Sequence, residues 1–150
     1  MKRDYTLSSD LSIKGLRLGQ NAWVVSPHGS IDSATSREFG DKIREFLDEK
    51  PSHLLLDMAG VKYISSMGLG ALLSLLKKFE KSGFLFALYD TSLPVRRVLE
   101  ISKLDFLLIH AERVDKSHPF SEYIDTHEPD RKKRREEEAA REQAKKSVKK

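Results

Sequence analysis

The chain has 150 residues, with 27 Lys and Arg against 23 Asp and Glu, no Cys and a net charge of +4. Ten bases and six acids fall in residues 128–150, so the other 127 residues carry seventeen of each and are neutral. That excludes a basic folded surface made to wrap nucleic acid, and the missing Cys excludes disulfides, thiolate catalysis and Cys-ligated zinc.

Residues 1–10 hold Lys2 and Arg3 but no apolar run behind them, so they do not read as a signal peptide. The longest apolar stretches, such as residues 84–89, fall far short of the roughly 20 residues that span a bilayer. The expectation is a soluble, cytoplasmic chain with one domain over residues 1–127 and a charged tail over 128–150.

Residues 11–18 alternate as a strand, with Leu11 and Ile13, then Leu16 and Leu18 after a phase break at Gly15. Gly19-Gln20-Asn21 reads as a turn, and Ala22–Val25 as a second strand ending near Pro27–Gly29. Residues 33–49 have helical period, with Phe39, Ile43, Phe46 and Leu47 in one stripe, Ser33 as the expected N-cap and Pro51 past the end. Residues 53–58 are a short apolar run, as in a strand covered on both faces. Residues 66–82 form the next helix, with Leu69, Leu72, Leu73, Leu76 and Phe79 inward and Gly83 as the stop. Residues 84–89 read as a second buried strand. Residues 92–101 read as a helix with Pro94 in its first turn and Val95, Val98 and Leu99 inward. Residues 105–110 read as a third buried strand, and 117–126 as a short helix closing the body.

The order β-β-α-β-α-β-α-β-α predicts an α/β fold: a mixed, mostly parallel sheet of four or five strands flanked by about four helices. Beyond residue 128 the apolar residues shrink to Ala139, Ala140, Ala144 and Val148. No stripe can be buried there, and the expectation is a frayed helix or a disordered tail. The bases Arg131–Arg135 are interleaved with Glu136–Glu138 and no aromatic stands among them, so at most weak binding to nucleic acid is expected of the tail. No apolar helix face accompanies the charge, which argues against a membrane.

The search for catalytic chemistry is brief. His28, His53, His110, His118 and His127 are scattered without ligand spacing. There is no phosphate-binding glycine loop and no nucleophile elbow, and Gly68-Leu69-Gly70 lacks the third glycine of a dinucleotide fingerprint. The chain is expected to be no enzyme, with no cofactor and no metal. His28, beside Gly29, is the one histidine worth testing.

One segment stands apart: Val61-Lys-Tyr-Ile-Ser-Ser-Met-Gly-Leu-Gly-Ala-Leu-Leu. Ser65 and Ser66 fall where the helix needs an N-cap, and either hydroxyl could serve. Gly68 and Gly70 each cost roughly 0.5–1 kcal/mol against Ala in a helix. Their presence implies close backbone approach, to the chain's own loop or to a partner. A serine at a helix N-terminus is also a favourable place for a phosphate, which meets free N–H groups and the positive dipole end.

Three segments resemble the STAS family, the anti-sigma-factor antagonists of bacteria. They are Gly29-Ser-Ile-Asp-Ser-Ala-Thr; Leu54-Leu-Leu-Asp-Met-Ala-Gly-Val-Lys-Tyr-Ile-Ser-Ser-Met-Gly-Leu-Gly; and Ser92-Leu-Pro-Val-Arg-Arg-Val-Leu-Glu-Ile-Ser-Lys-Leu. The resemblance spans roughly residues 11–115. It implies a switched ligand that binds an anti-sigma factor with Ser/Thr kinase activity and is released when that kinase phosphorylates Ser66, with Ser65 the second choice. A phosphatase resets it. The resemblance also implies a partner surface of Asp32, Ser33, Ser65, Ser66, Met67, Gly68, Leu69 and Gly70. Two residues depart from the family pattern: Ser65 stands where an acid is usual, and Met67 where a small residue is usual. Those departures keep open an unphosphorylated STAS scaffold or ligand-sensing module in a larger assembly.

Overall fold

A computed structural model describes residues 2–7 and 10–148 of the chain. They fall into two compact units, Met1–His110 and Ala111–Lys150.

The first unit is a mixed sheet with helices. Its strands are β1 (Lys2–Thr6), β2 (Leu11–Leu18), β3 (Ala22–Ile31), β4 (His53–Asp57), β5 (Val61–Ile64) and β6 (Phe86–Tyr89). The order is β1-β2-β3-β4-β6, with β5 also on β3. The β1–β2 and β2–β3 pairs are antiparallel, and the β3–β4, β3–β5 and β4–β6 pairs are parallel. The fold is the α/β class expected, with six strands rather than four or five. Both additional strands lack an apolar signature. β1 is a charged edge strand, and charge on an edge discourages stray pairing. β5 has four residues, of which only Val61 and Ile64 are buried.

Strand β3 is long because it serves two parallel partners in succession. Ala22–Val25 pair with β4, and Gly29–Ile31 pair with β5. Pro27 lies in the gap between them, so the strand runs past the residue at which it was expected to end. The phase break at Gly15 also has a packing cause. Leu11, Ile13 and Gly15 all point inward, and a Cβ on Gly15 would stand 2.7 Å from the Phe46 ring. In β3, β4 and β6, successive residues such as Val24 and Val25, or Leu55 and Leu56, are all buried, which is why these strands read as unbroken apolar runs.

Helices α1 (Ser36–Glu49), α2 (Ser66–Ser82) and α3 (Leu93–Ile101) supply the other half of the core. α1 buries Phe39, Ile43, Phe46 and Leu47, and α2 buries Leu72, Leu75, Leu76 and Phe79. Leu73, expected inward, is 38% exposed. α2 stops at Gly83, whose φ of 81° is left-handed. Residues 105–110 are not a strand. They form a 3-10 turn, Asp105–Leu107, followed by a single bridge from Leu108 to Leu88. Only Leu107 of that turn is buried, while Phe106 is 66% exposed, so the run is not covered on both faces.

The second unit has a 3-10 turn, Ala111–Arg113, and one long helix, α4 (Ser121–Val148). It runs on from the short helix expected near 117–126 through the charged tail, for which a helix was one of the two expectations. Phe120, Tyr123 and Ile124 are buried, and no residue from 125 to 147 is. The helix continues through Pro129 even though proline withdraws one N–H donor. Among the described residues, no helix is long and apolar enough to cross a membrane.

Candidate functional site

Two strand ends bring the expected site residues together. The carbonyl of Ile31, the last residue of β3, accepts the Ser65 amide at 3.0 Å. The turn after β3 and the start of α2 are therefore neighbours.

In the turn, Asp32 organises its own backbone. One carboxylate oxygen accepts the Ala34 amide at 2.9 Å and the Thr35 amide at 3.2 Å. Buried Thr35 donates its hydroxyl to the Ser30 carbonyl at 2.7 Å and accepts the Asp32 amide at 2.9 Å. These bonds occupy residues 32–35, so α1 begins at Ser36 with Thr35 at the cap position. Ser33, expected to cap, stands exposed in the turn and makes no capping bond. Ser36, in turn, is buried.

At the start of α2 the two serines separate. Ser65 is the N-cap: its backbone is extended, with φ −93° and ψ 175°, and its hydroxyl oxygen accepts the Gly68 amide at 3.2 Å. Ser66 is the first helical residue and is exposed. Met67 beside it is 58% exposed. The two glycines separate as well. A Cβ on Gly68 would lie 2.3 Å from the Ile31 carbonyl oxygen, so the domain's own close approach excludes any side chain there. At Gly70, nothing beyond its chain neighbours and the adjoining helix backbone lies within 4 Å of the same position. Nothing in the fold asks for glycine at 70, yet the helix bears its cost. Leu69 between them is half-buried, packed against the core.

Two further apolar residues are exposed, Tyr63 on β5 at 53% and Leu93 at the start of α3 at 41%. The Ser92 hydroxyl reaches the Val61 carbonyl at 3.5 Å, which ties the start of α3 to β5. One feature was absent from the sequence reading. Ser36, Arg37, Gly40, Asp41 and Arg44 of α1, with Met67 and Ala71 of α2, line an open groove of about 450 Å³. The 36/37, 40/41, 44 spacing on α1 is one helical stripe, a signal that was available but polar.

Three of the histidines make local structural contacts. The His53 ring nitrogen accepts the Leu85 amide at 2.9 Å, and His118 accepts the Phe120 amide at 3.2 Å. His28 packs its ring where a Cβ on Gly60 would stand, 2.6 Å away, and lies 3.2 Å from the Ser26 carbonyl. Among the described residues no group of three His, Cys, Asp or Glu could hold a metal ion. The arrangement has the features of a docking surface: an exposed hydroxyl at a helix start, an exposed Met, and a groove between two helices.

Comparison with known proteins matches residues 17–118 to the STAS domain. A candidate anti-sigma factor antagonist of Thermotoga maritima is 36% identical over 61 residues, which is 41% of this chain and 54% of that protein. The chain thus spans about half the length of that relative. The crystal structure of a candidate anti-sigma factor antagonist from the same organism superposes with a TM-score of 0.57 at 26% identity, covering 61% of this chain and 80% of that one. The phosphorylated form of the Bacillus cell fate determinant SpoIIAA superposes with a TM-score of 0.56 at 16% identity, covering 76% of this chain and 97% of that one, and supports the fold alone.

Proposed function

The chain belongs to the STAS domain family, and from that premise we propose that it is an anti-sigma-factor antagonist switched by phosphorylation of Ser66. The observation that carries this reading is the division of labour between the two serines. Ser65 uses its hydroxyl as the cap of α2, while Ser66, one residue on, is exposed and free of that duty. Unmodified, the chain docks on an anti-sigma factor with Ser/Thr kinase activity through the turn at Asp32 and Ser33 and the start of α2 from Ser65 to Gly70. The kinase transfers the γ-phosphoryl group of ATP to the Ser66 oxygen, releasing ADP and the hydroxyl proton. The phosphate adds a charge of about −1.5 to −2, which the docked interface would have to desolvate, so the partner is released. A phosphatase restores the hydroxyl by hydrolysis, yielding inorganic phosphate. The chain itself is a ligand in this cycle, not a catalyst.

The test is a cognate kinase with ATP. Wild type takes one phosphate, Ser66→Ala takes none, and Ser66→Asp loses the partner. A Ser66→Ala protein that still takes one phosphate, with Ser66→Asp still bound, overturns the reading. Met67 favours a second reading, an unphosphorylated STAS scaffold, since a large apolar side chain beside the acceptor suits a permanent contact. Mass spectrometry of protein from cells decides between them: no phosphate under any condition, with a stable complex on pull-down, supports the scaffold.

A further inference from the structure

We propose that Arg37 receives the phosphate once Ser66 carries it, so that the modified chain pairs with itself rather than merely repelling its partner. The proposal rests on the reading that Ser66 is the acceptor. It starts from a difference among the cations of α1. Lys42 is paired with Glu45 at 2.6 Å, and Arg44 with Asp41 at 3.0 Å and the Ser74 hydroxyl at 3.4 Å. Arg37, exposed in the first turn, has no hydrogen bond or ion pair among the described residues.

Its position makes that freedom usable. Arg37 and Met67 line the same groove, and Ser66 adjoins Met67 in the chain. The starts of α1 and α2 are held together by the Ser65 amide on the Ile31 carbonyl and by the contact that requires Gly68. The other charged groups that line the groove, Asp41 and Arg44, are already engaged. Asp41 is held by Arg44, and Asp32 accepts the Ala34 and Thr35 amides. A phosphate on Ser66 is therefore the group that answers to Arg37. A guanidinium offers it a planar fork of N–H donors, which a Lys ammonium does not. Pairing would remove Arg37 from the docking surface at the moment the phosphate is added to it, so one modification changes two features that the partner reads.

The experiment places phosphoserine at position 66 during synthesis and follows the phosphate by 31P NMR against pH. A neighbouring cation favours the dianion and lowers its second pKa. The expected result is a titration midpoint lower in wild type than in Arg37→Gln by ~0.5 pH unit, the size expected of an exposed pair, with Arg37→Lys between them. Coincident titrations of wild type and Arg37→Gln, with matching amide spectra for the unmodified proteins, overturn the proposal. The kinase assay is a separate result. Phosphate on Ser66 with coincident titrations removes the Arg37 pair alone. A shifted titration with no kinase that modifies Ser66 removes the switch and leaves the pair standing.

Discussion

Within the short segment 65–70, neighbours of the same type do different work. Ser65→Ala should cost about 1 kcal/mol, the usual cost of losing an N-cap. Ser66→Ala should stay within about 0.5 kcal/mol, as surface changes do. The glycines should diverge in sign. Gly70→Ala should stabilise by about 0.5–1 kcal/mol, because the added methyl meets open space and the helix loses a poor former. Gly68→Ala should destabilise by about 1–3 kcal/mol, because a backbone oxygen stands where the methyl must go. Urea unfolding of the four variants checks all of these signs at once. If Gly70→Ala also weakens partner binding, the glycine is there for the partner's close approach. The sequence made the motif legible as a cap followed by two costly glycines. It could not say which serine caps or which glycine is structural, because both depend on how β3's last carbonyl, at Ile31, meets the start of α2.

Elements were legible where burial imposes a period and illegible where it does not. Helices α1, α2 and α3 and strands β2, β4 and β6 carry apolar stripes or runs, and they lie close to where those patterns put them. The start of α1 moved from Ser33 to Ser36 because side-chain bonds from Asp32 and Thr35 close a turn that no periodicity reports. β1 was missed because its attachment is largely polar. Arg3 pairs with Glu49 of α1 and lies over the Trp23 ring at 5.3 Å, and Lys42 lies over Tyr5 at 4.1 Å. The Arg3 guanidinium holds the Glu49 carboxyl below its ordinary value of 4.5. A carboxyl depressed in the folded state binds fewer protons there than in the unfolded chain, so its contribution is present above about 4.5 and is lost as pH falls through the folded value. Glu49→Gln should therefore lower the urea midpoint slightly at pH 7 and flatten the acid limb of stability against pH by the same small amount, the pair being exposed, so that the two proteins converge in acid. An acid limb unchanged in slope would show that Arg3 does not tie β1 to α1 in solution.

At the scale of the whole molecule, charge and burial separate the same region from the rest. Residues 1–127 are electrically neutral, so a phosphate of about −2 on Ser66 would set the sign of that region's charge. The excess of +4 lies in residues 128–150, which follow Ile124, the last buried residue among the described ones. The long helix there could not be read from an apolar stripe because it has none. Pairs such as Arg134–Glu138 at 3.5 Å help it, each contributing about 0.3–0.5 kcal/mol. Such pairs stabilise the helix locally, and none of residues 125–147 is buried, so this stretch contributes little to the stability of what precedes it. Deleting residues 128–150 should then lower the far-ultraviolet helical signal, leave the urea midpoint of the remainder within about 0.5 kcal/mol and leave the affinity for the proposed anti-sigma partner unchanged. A clear fall in the midpoint would mean that α4 past residue 128 is part of the folded body. A fall in affinity alone would place the basic segment in the docking surface, and its dependence on salt would then show whether the contribution is electrostatic.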